Sequence, residues 1–111
     1  MKKLFLITTL LIASASVKAQ LIYSVDADYK ADVKVYVVDA AYKADLLVYK
    51  VDAAYMAGDN NGRWFFTDAA HKTKKKIYFV DAAYKADLKI FFVDASYKAQ
   101  WKESSKKHLM Y

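Results

Sequence analysis

The sequence predicts a mainly β repeat fold of short strands joined by single-turn connections. Three observations carry that expectation. Asp26, Asp39 and Asp52 stand thirteen residues apart, and Asp68, Asp81 and Asp94 repeat that spacing after one longer interval. Around each aspartate recurs one phrase, clearest as Val35-Tyr36-Val37-Val38-Asp39-Ala40-Ala41-Tyr42-Lys43-Ala44-Asp45. Finally, there is no proline, and both glycines, Gly58 and Gly62, fall inside the interval. A fixed period marks one small unit copied many times. Connections that turn without proline or glycine favour uniform winding over tight hairpins.

Residues 1–19 have a separate grammar. Lys2 and Lys3 precede an apolar stretch, Leu4 to Ala13, and Val17-Lys18-Ala19 is a small-residue cleavage pattern. This reads as a secretory signal peptide, shorter than the roughly 20 apolar residues of a membrane span. Cleavage after Ala19 leaves residues 20–111 as a single repeat domain interrupted at 58–63, with Gln20 first. Loss of Lys2, Lys3 and Lys18 takes the formal charge from +6 to +3, because all 12 acids remain. That balance, in an exported chain, argues against nucleic acid as a partner. With no cysteine to form disulfides, a domain this small must draw its stability from dense packing, closure or oligomerisation.

Each unit opens as a strand. One residue before the aspartate stand Val25, Val38, Val51, Thr67, Val80 and Val93, and three before stand Tyr23, Tyr36, Tyr49, Phe65, Tyr78 and Phe91. These two positions share a face and form an aromatic and β-branched ladder, expected to seal the interior. Ile22, Val35, Val48, Trp64, Ile77 and Ile90, four before, make the opposite face apolar as well. Strands apolar on both faces are expected to be covered twice, in part by the chain or by a partner, so a homodimer is admissible.

After the aspartate the character changes. Asp39-Ala40-Ala41-Tyr42-Lys43-Ala44 contains no β-branched residue and suits a single helical turn. The aspartates are expected to act as N-caps, with a weak attraction to the lysine four residues on. Tyr29, Tyr42, Tyr55, Tyr84 and Tyr97 are expected to pack as anchors between units.

In its serial phrases the chain resembles the bacterial septoil knot, or 7₁ knot, domain family. The likeness rests on Lys76-Ile77-Tyr78-Phe79-Val80-Asp81-Ala82-Ala83-Tyr84-Lys85-Ala86-Asp87 and its echo Lys89-Ile90-Phe91-Phe92-Val93-Asp94-Ala95-Ser96-Tyr97-Lys98-Ala99, and it extends over Leu21 to Trp101. The resemblance implies a compact ring-like domain wound into a seven-crossing knot and supplies no activity. Trp101-Lys102 resembles the start of another unit, so a partial seventh copy is expected to close the ring. The pattern departs at Gly58 to Lys76, where His71 replaces the unit's tyrosine and Lys74 its second aspartate.

The interruption is where non-repetitive chemistry is expected: Asp59, Asn60, Asn61, Arg63 and Trp64, with His71, Lys74, Lys75 and Lys76 beyond it. Asp59-Asn60-Asn61-Gly62 offers oxygen ligands but lacks the spacing and distal glutamate of a calcium loop, so it reads as a turn. Catalytic carboxylate pairs occupy contrasting environments, whereas Asp26, Asp39, Asp52, Asp68, Asp81 and Asp94 recur identically and read as scaffold with Tyr36, Tyr49, Tyr78 and Phe91. His71 and His108 have no accompanying cysteine to complete a zinc set, and phosphate-cradling glycine loops are absent. The run from Lys72 to Lys76 reads as a solvated loop edge, or a contact for an acidic envelope polymer. Trp64 and Trp101 break the pattern and read as surface contacts.

The expectation is therefore an exported, non-enzymatic structural or binding module, of periplasmic or extracellular location, without a cofactor. Its partner would be an envelope polymer or protein. The alternative is a hydrolase or lytic factor acting through dispersed groups such as Asp59, His71 and Glu103.

Overall fold

Every β-branched and aromatic run before an aspartate forms a short strand: β1 Leu21–Ser24, β2 Val33–Val37, β3 Leu46–Lys50, β4 Arg63–Phe66, β5 Lys75–Phe79 and β6 Leu88–Phe92. A two-residue β7, Gln100–Trp101, follows, and the chain ends in a 3₁₀ segment, Ser104–Met110. The computed structural model describes residues 20–73 and 75–111, so the expected signal peptide and Lys74 lie outside the described residues. Among the described residues no helix is long and apolar enough to cross a membrane.

Hydrogen bonding arranges the strands as β4-β1-β5-β2-β6-β3-β7, and β3 also pairs with β4, which closes the sheet into a ring. Counted round that six-strand ring, each step along the chain advances two places except the step from β3 to β4, which are direct neighbours. Strands β1 to β3 make a first lap, and β4 to β6 a second lap whose strands fill the gaps in the first. All pairings among these six are parallel. The short β7 runs antiparallel to the start of β3, leaving Tyr49 and Lys50 to pair directly with β4.

Parallel neighbours normally need a long crossover to carry the chain back along the strand. Here the stagger removes that need. Ser24, at the end of β1, and Val33, at the start of β2, both pair with Ile77 of β5. The connection between them therefore moves sideways rather than backwards. A single 3₁₀ turn suffices: Asp28–Lys30, and equivalently Ala41–Lys43, Ala54–Met56, Ala70–Lys72, Ala83–Lys85 and Ser96–Lys98. The residues flanking these turns are extended with negative φ, so ordinary side chains fit and no glycine is required. Among the described residues only the interruption needs left-handed backbone, at Asn60 with φ 57° and Gly62 with φ 94°. A Cβ on Gly62 would lie 2.5 Å from the Leu47 carbonyl oxygen, so only glycine fits.

The interior reverses the expected face. Ile22, Val35, Val48, Trp64, Ile77 and Ile90, four residues before each aspartate, are all fully buried and line the ring's centre with Val33, Leu46, Leu88 and Met110. The valine-and-aromatic ladder instead forms the outer layer, where Tyr36, Tyr49, Tyr78 and Phe91 are half-buried. Both rows were apolar with period two, and alternation alone does not say which side closes inward. A six-strand ring leaves room at its axis for aliphatic side chains, which the smaller row supplies. The outer layer is covered in part by the chain's own turns: Val38, Ala44 and Leu47 form a second cluster against Tyr36, Ala41, Phe91 and Val93.

The two laps are stitched together by aspartates six residues after the principal ones. Asp32 donates its backbone N–H to the Lys76 carbonyl at 2.8 Å, and its carboxylate accepts the Lys76 N–H at 2.9 Å. Asp45 and Lys89 repeat this pair of bonds, as do Asp87 and Lys34. Each carboxylate thus satisfies a strand-start N–H belonging to the other lap.

The C-terminal segment stops one end of the ring. Met110 is buried in the core, and its carbonyl accepts the Gln20 side-chain N–H at 2.9 Å. Backbone N–H groups of Lys102 and Glu103 both donate to the Asp45 carbonyl, and Lys106 reaches the Asp45 carboxylate at 3.1 Å. At the other end Lys50 lies over the rings of Phe66 and Phe92, 5.4 and 5.2 Å from their centroids.

Candidate binding surface

The six turns project outward from the ring as a rim. On five of them the tyrosine three residues after the aspartate is exposed: Tyr29 82%, Tyr42 78%, Tyr55 88%, Tyr84 86% and Tyr97 81%. These residues were expected to anchor neighbouring units, and the structure places them in water. A one-turn helix is too short to bury a side chain at its midpoint against the strand it leaves, so the ring points away.

The principal aspartates do not cap these turns either. The N-cap residue is the following alanine, and none of the turns has a side-chain cap bond. Instead Asp26, Asp39, Asp81 and Asp94 pair with Lys30, Lys43, Lys85 and Lys98 at 2.8–2.9 Å. The lysine's hydrogen bond and charge hold all four carboxyls below the ordinary aspartate value of 3.8. The same bond raises Lys85 and Lys98. Lys30, Lys43 and Lys85 also sit 5.8–5.9 Å from the centroids of Tyr29, Tyr42 and Tyr84. Two units depart: Met56 takes the lysine's place after Asp52, and among the described residues no bridge joins Asp68 to Lys72.

Grooves run between the outer face of the sheet and the turns that follow Asp26, Asp39, Asp81 and Asp94. Three such grooves, of about 600, 670 and 440 Å³, are built from equivalent positions. One takes Phe91, Asp94, Tyr97 and Lys98, the next Tyr36, Asp39, Tyr42 and Lys43, and the third Tyr78, Asp81, Tyr84 and Lys85. A smaller fourth, about 210 Å³, takes Tyr23, Asp26 and Lys30. The larger three fall within the range of roughly 300–1,000 Å³ typical of small-molecule sites.

The residues singled out in the interruption do not converge on a site. Asp59 is exposed, but Asn60 is buried, donating from its side chain to the Lys107 carbonyl at 3.0 Å and accepting the Trp101 indole N–H at 3.0 Å. It ties the C-terminal segment down. Asn61 accepts the Arg63 backbone N–H at 3.3 Å, closing the turn. Trp64 is fully buried at the ring's axis and Trp101 packs against the core, so neither is a surface contact. His71 occupies the outward position of the fourth turn and shares the tyrosines' exposure rather than a packing role. Lys75 and Lys76 are half-buried strand residues, not a loop edge, and Lys74 lies outside the described residues. Glu103 accepts the Ser105 hydroxyl at 2.6 Å on the C-terminal segment, and no hydrogen bond joins it to Asp59 or His71 among the described residues.

The interleaved two-lap ring agrees with the comparison of the sequence with known families: the model described as the 7(1) septoil knot domain matches residues 19–102. The chain belongs to that family. No curated protein and no solved structure matches it. The septoil knot assignment covers every rim turn and all six parallel strands. Sequence reasoning missed Asp32, Asp45 and Asp87, whose regular recurrence six residues after the principal aspartates was the available signal.

Proposed function

We propose that this septoil knot protein is an exported, non-enzymatic binding module, and that its rim is the binding surface. The observation supporting this reading is that five tyrosines on equivalent turns are 78–88% exposed. A tyrosine in water contributes nothing to the core, and large aromatic rings with a polar tip are efficient contact residues. A rim of similar grooves favours a partner that is itself repetitive, since several weak contacts multiply when engaged together. A polymer or repetitive protein of the cell envelope has that character, and export would bring the rim to it.

The test is retention on a washed envelope fraction of wild type against a variant with Tyr29, Tyr42, Tyr55, Tyr84 and Tyr97 all changed to Ser. Wild type is expected to be retained and the variant released, with unchanged circular dichroism. Equal retention of both proteins would remove the rim from consideration.

A further inference from the structure

Resting on that reading, we infer that each rim groove takes one sugar unit of a largely uncharged polysaccharide. The groove at Asp81 shows why. Tyr84, 86% exposed with the Lys85 ammonium over its ring at 5.9 Å, and the half-buried Tyr78 both line it, and aromatic rings so placed are the groups that stack on the C–H face of a pyranose. In the same groove the Asp81 carboxylate and the Lys85 ammonium stand 2.9 Å apart. Together they present an acceptor and a donor at the spacing of neighbouring hydroxyl groups.

Charge argues the same way. In this groove Asp28 and Asp81 balance Lys34 and Lys85, and in the groove at Asp94 that residue balances Lys98. The groove at Asp39 carries one surplus lysine, Lys89. Such near-neutral grooves give little attraction for a phosphate, a polyanion or a cationic peptide, each of which needs an uncompensated opposite charge. Repetition completes the argument. A folded protein partner presents one irregular patch and would use one groove, whereas a polymer of identical units meets each groove with the same chemistry.

The experiment uses protein expressed from its full sequence, together with envelope fractions that are untreated, protease-digested or oxidised with periodate, which cleaves vicinal diols. The inference expects retention to survive protease and to be lost after periodate. It also expects one of dextran, galactomannan or a soluble β-1,4-glucan to compete at least about a hundredfold better than its own monosaccharide at equal sugar concentration. Each of Tyr42→Ala, Tyr84→Ala and Tyr97→Ala is expected to weaken that competition by a factor of about 2–10, the scale of one aromatic contact. Tyrosine-dependent retention that resists periodate but not protease would overturn the sugar inference and leave the binding module standing. Tyrosine-independent retention, or none at all, would overturn both.

Discussion

The inner wall and the rim are copied from the same thirteen-residue phrase, yet they respond to repetition in opposite ways. Inside, six copies of one position converge in a single buried cluster, so they share one packed core and no copy is independent. At the rim, the copies point apart: five of the six turns carry an exposed tyrosine, and four carry their own ion pair among the described residues. Repetition therefore yields one shared core and several separate surface units. Mutations should divide the same way, large and cooperative inside, small and additive outside.

The largest effect belongs to Trp64, the biggest side chain at the axis and the one copy where Ile or Val is replaced. Trp64→Ala is expected to cost about 3–5 kcal/mol, read as a fall in urea midpoint without change of slope. A loss under about 1 kcal/mol would show that the ring collapses around the gap, and that the wall is not a jointly packed core.

Next come the two rows of aspartates, chemically identical and on the same period. Asp45→Ala strips the partner from the Lys89 N–H and from Lys106, and is expected to cost about 1–3 kcal/mol. Asp81→Ala, on the rim, removes only an exposed bridge to a lysine on the same turn and is expected to leave the urea midpoint unchanged. Equal losses for the two would erase the distinction between a lap-joining and a local carboxylate.

Much of this was legible in the residues, and the failures have physical causes. The strands, the single-turn connections and the exceptional interval followed from the period and from the placing of Gly58 and Gly62. Ring closure and interleaving were not readable from the period, which is the same for a stack and for a circle. They came into view through the resemblance to the family. The inward face was misread because Tyr36 and Val38 looked more core-like than Val35, although closure favours the more compact aliphatic row. The rim was misread because a tyrosine among alanines resembles a packing anchor, and only the shortness of the turn turns it outward. Asn60 was read as part of a loop, when its side chain holds the C-terminal segment 47 residues away. Among the described residues, the buried polar side-chain atoms without a protein partner, on Gln20, Asn60, Arg63 and Trp64, also belong to this irregular unit or to the strand end beside it. Departures from the repeat here reflect closing the ring rather than a separate site.

The smallest expected effect is the most discriminating about the rim. Asp26, Asp39, Asp81 and Asp94 have carboxyls held below 3.8 by their lysines, so whatever stability they lend is present above that value and disappears as pH falls through the lower folded-state values. Lys85 and Lys98 are raised above 10.5, so their share is present below that pH and is lost as pH climbs through the higher folded-state values. Between these limits the contribution of the four ion pairs should be insensitive to pH. Changing the four aspartates to Asn should lower the thermal midpoint slightly and equally across neutral pH, and the gap to wild type should close in strong acid. If the gap persists where all four carboxyls are protonated, the aspartates act through the shape of the turn and not through charge, and the pairs would be incidental to the groove. If it closes and the same variant loses retention on the envelope fraction while keeping its fold, the ion pair is part of what the groove presents to its ligand.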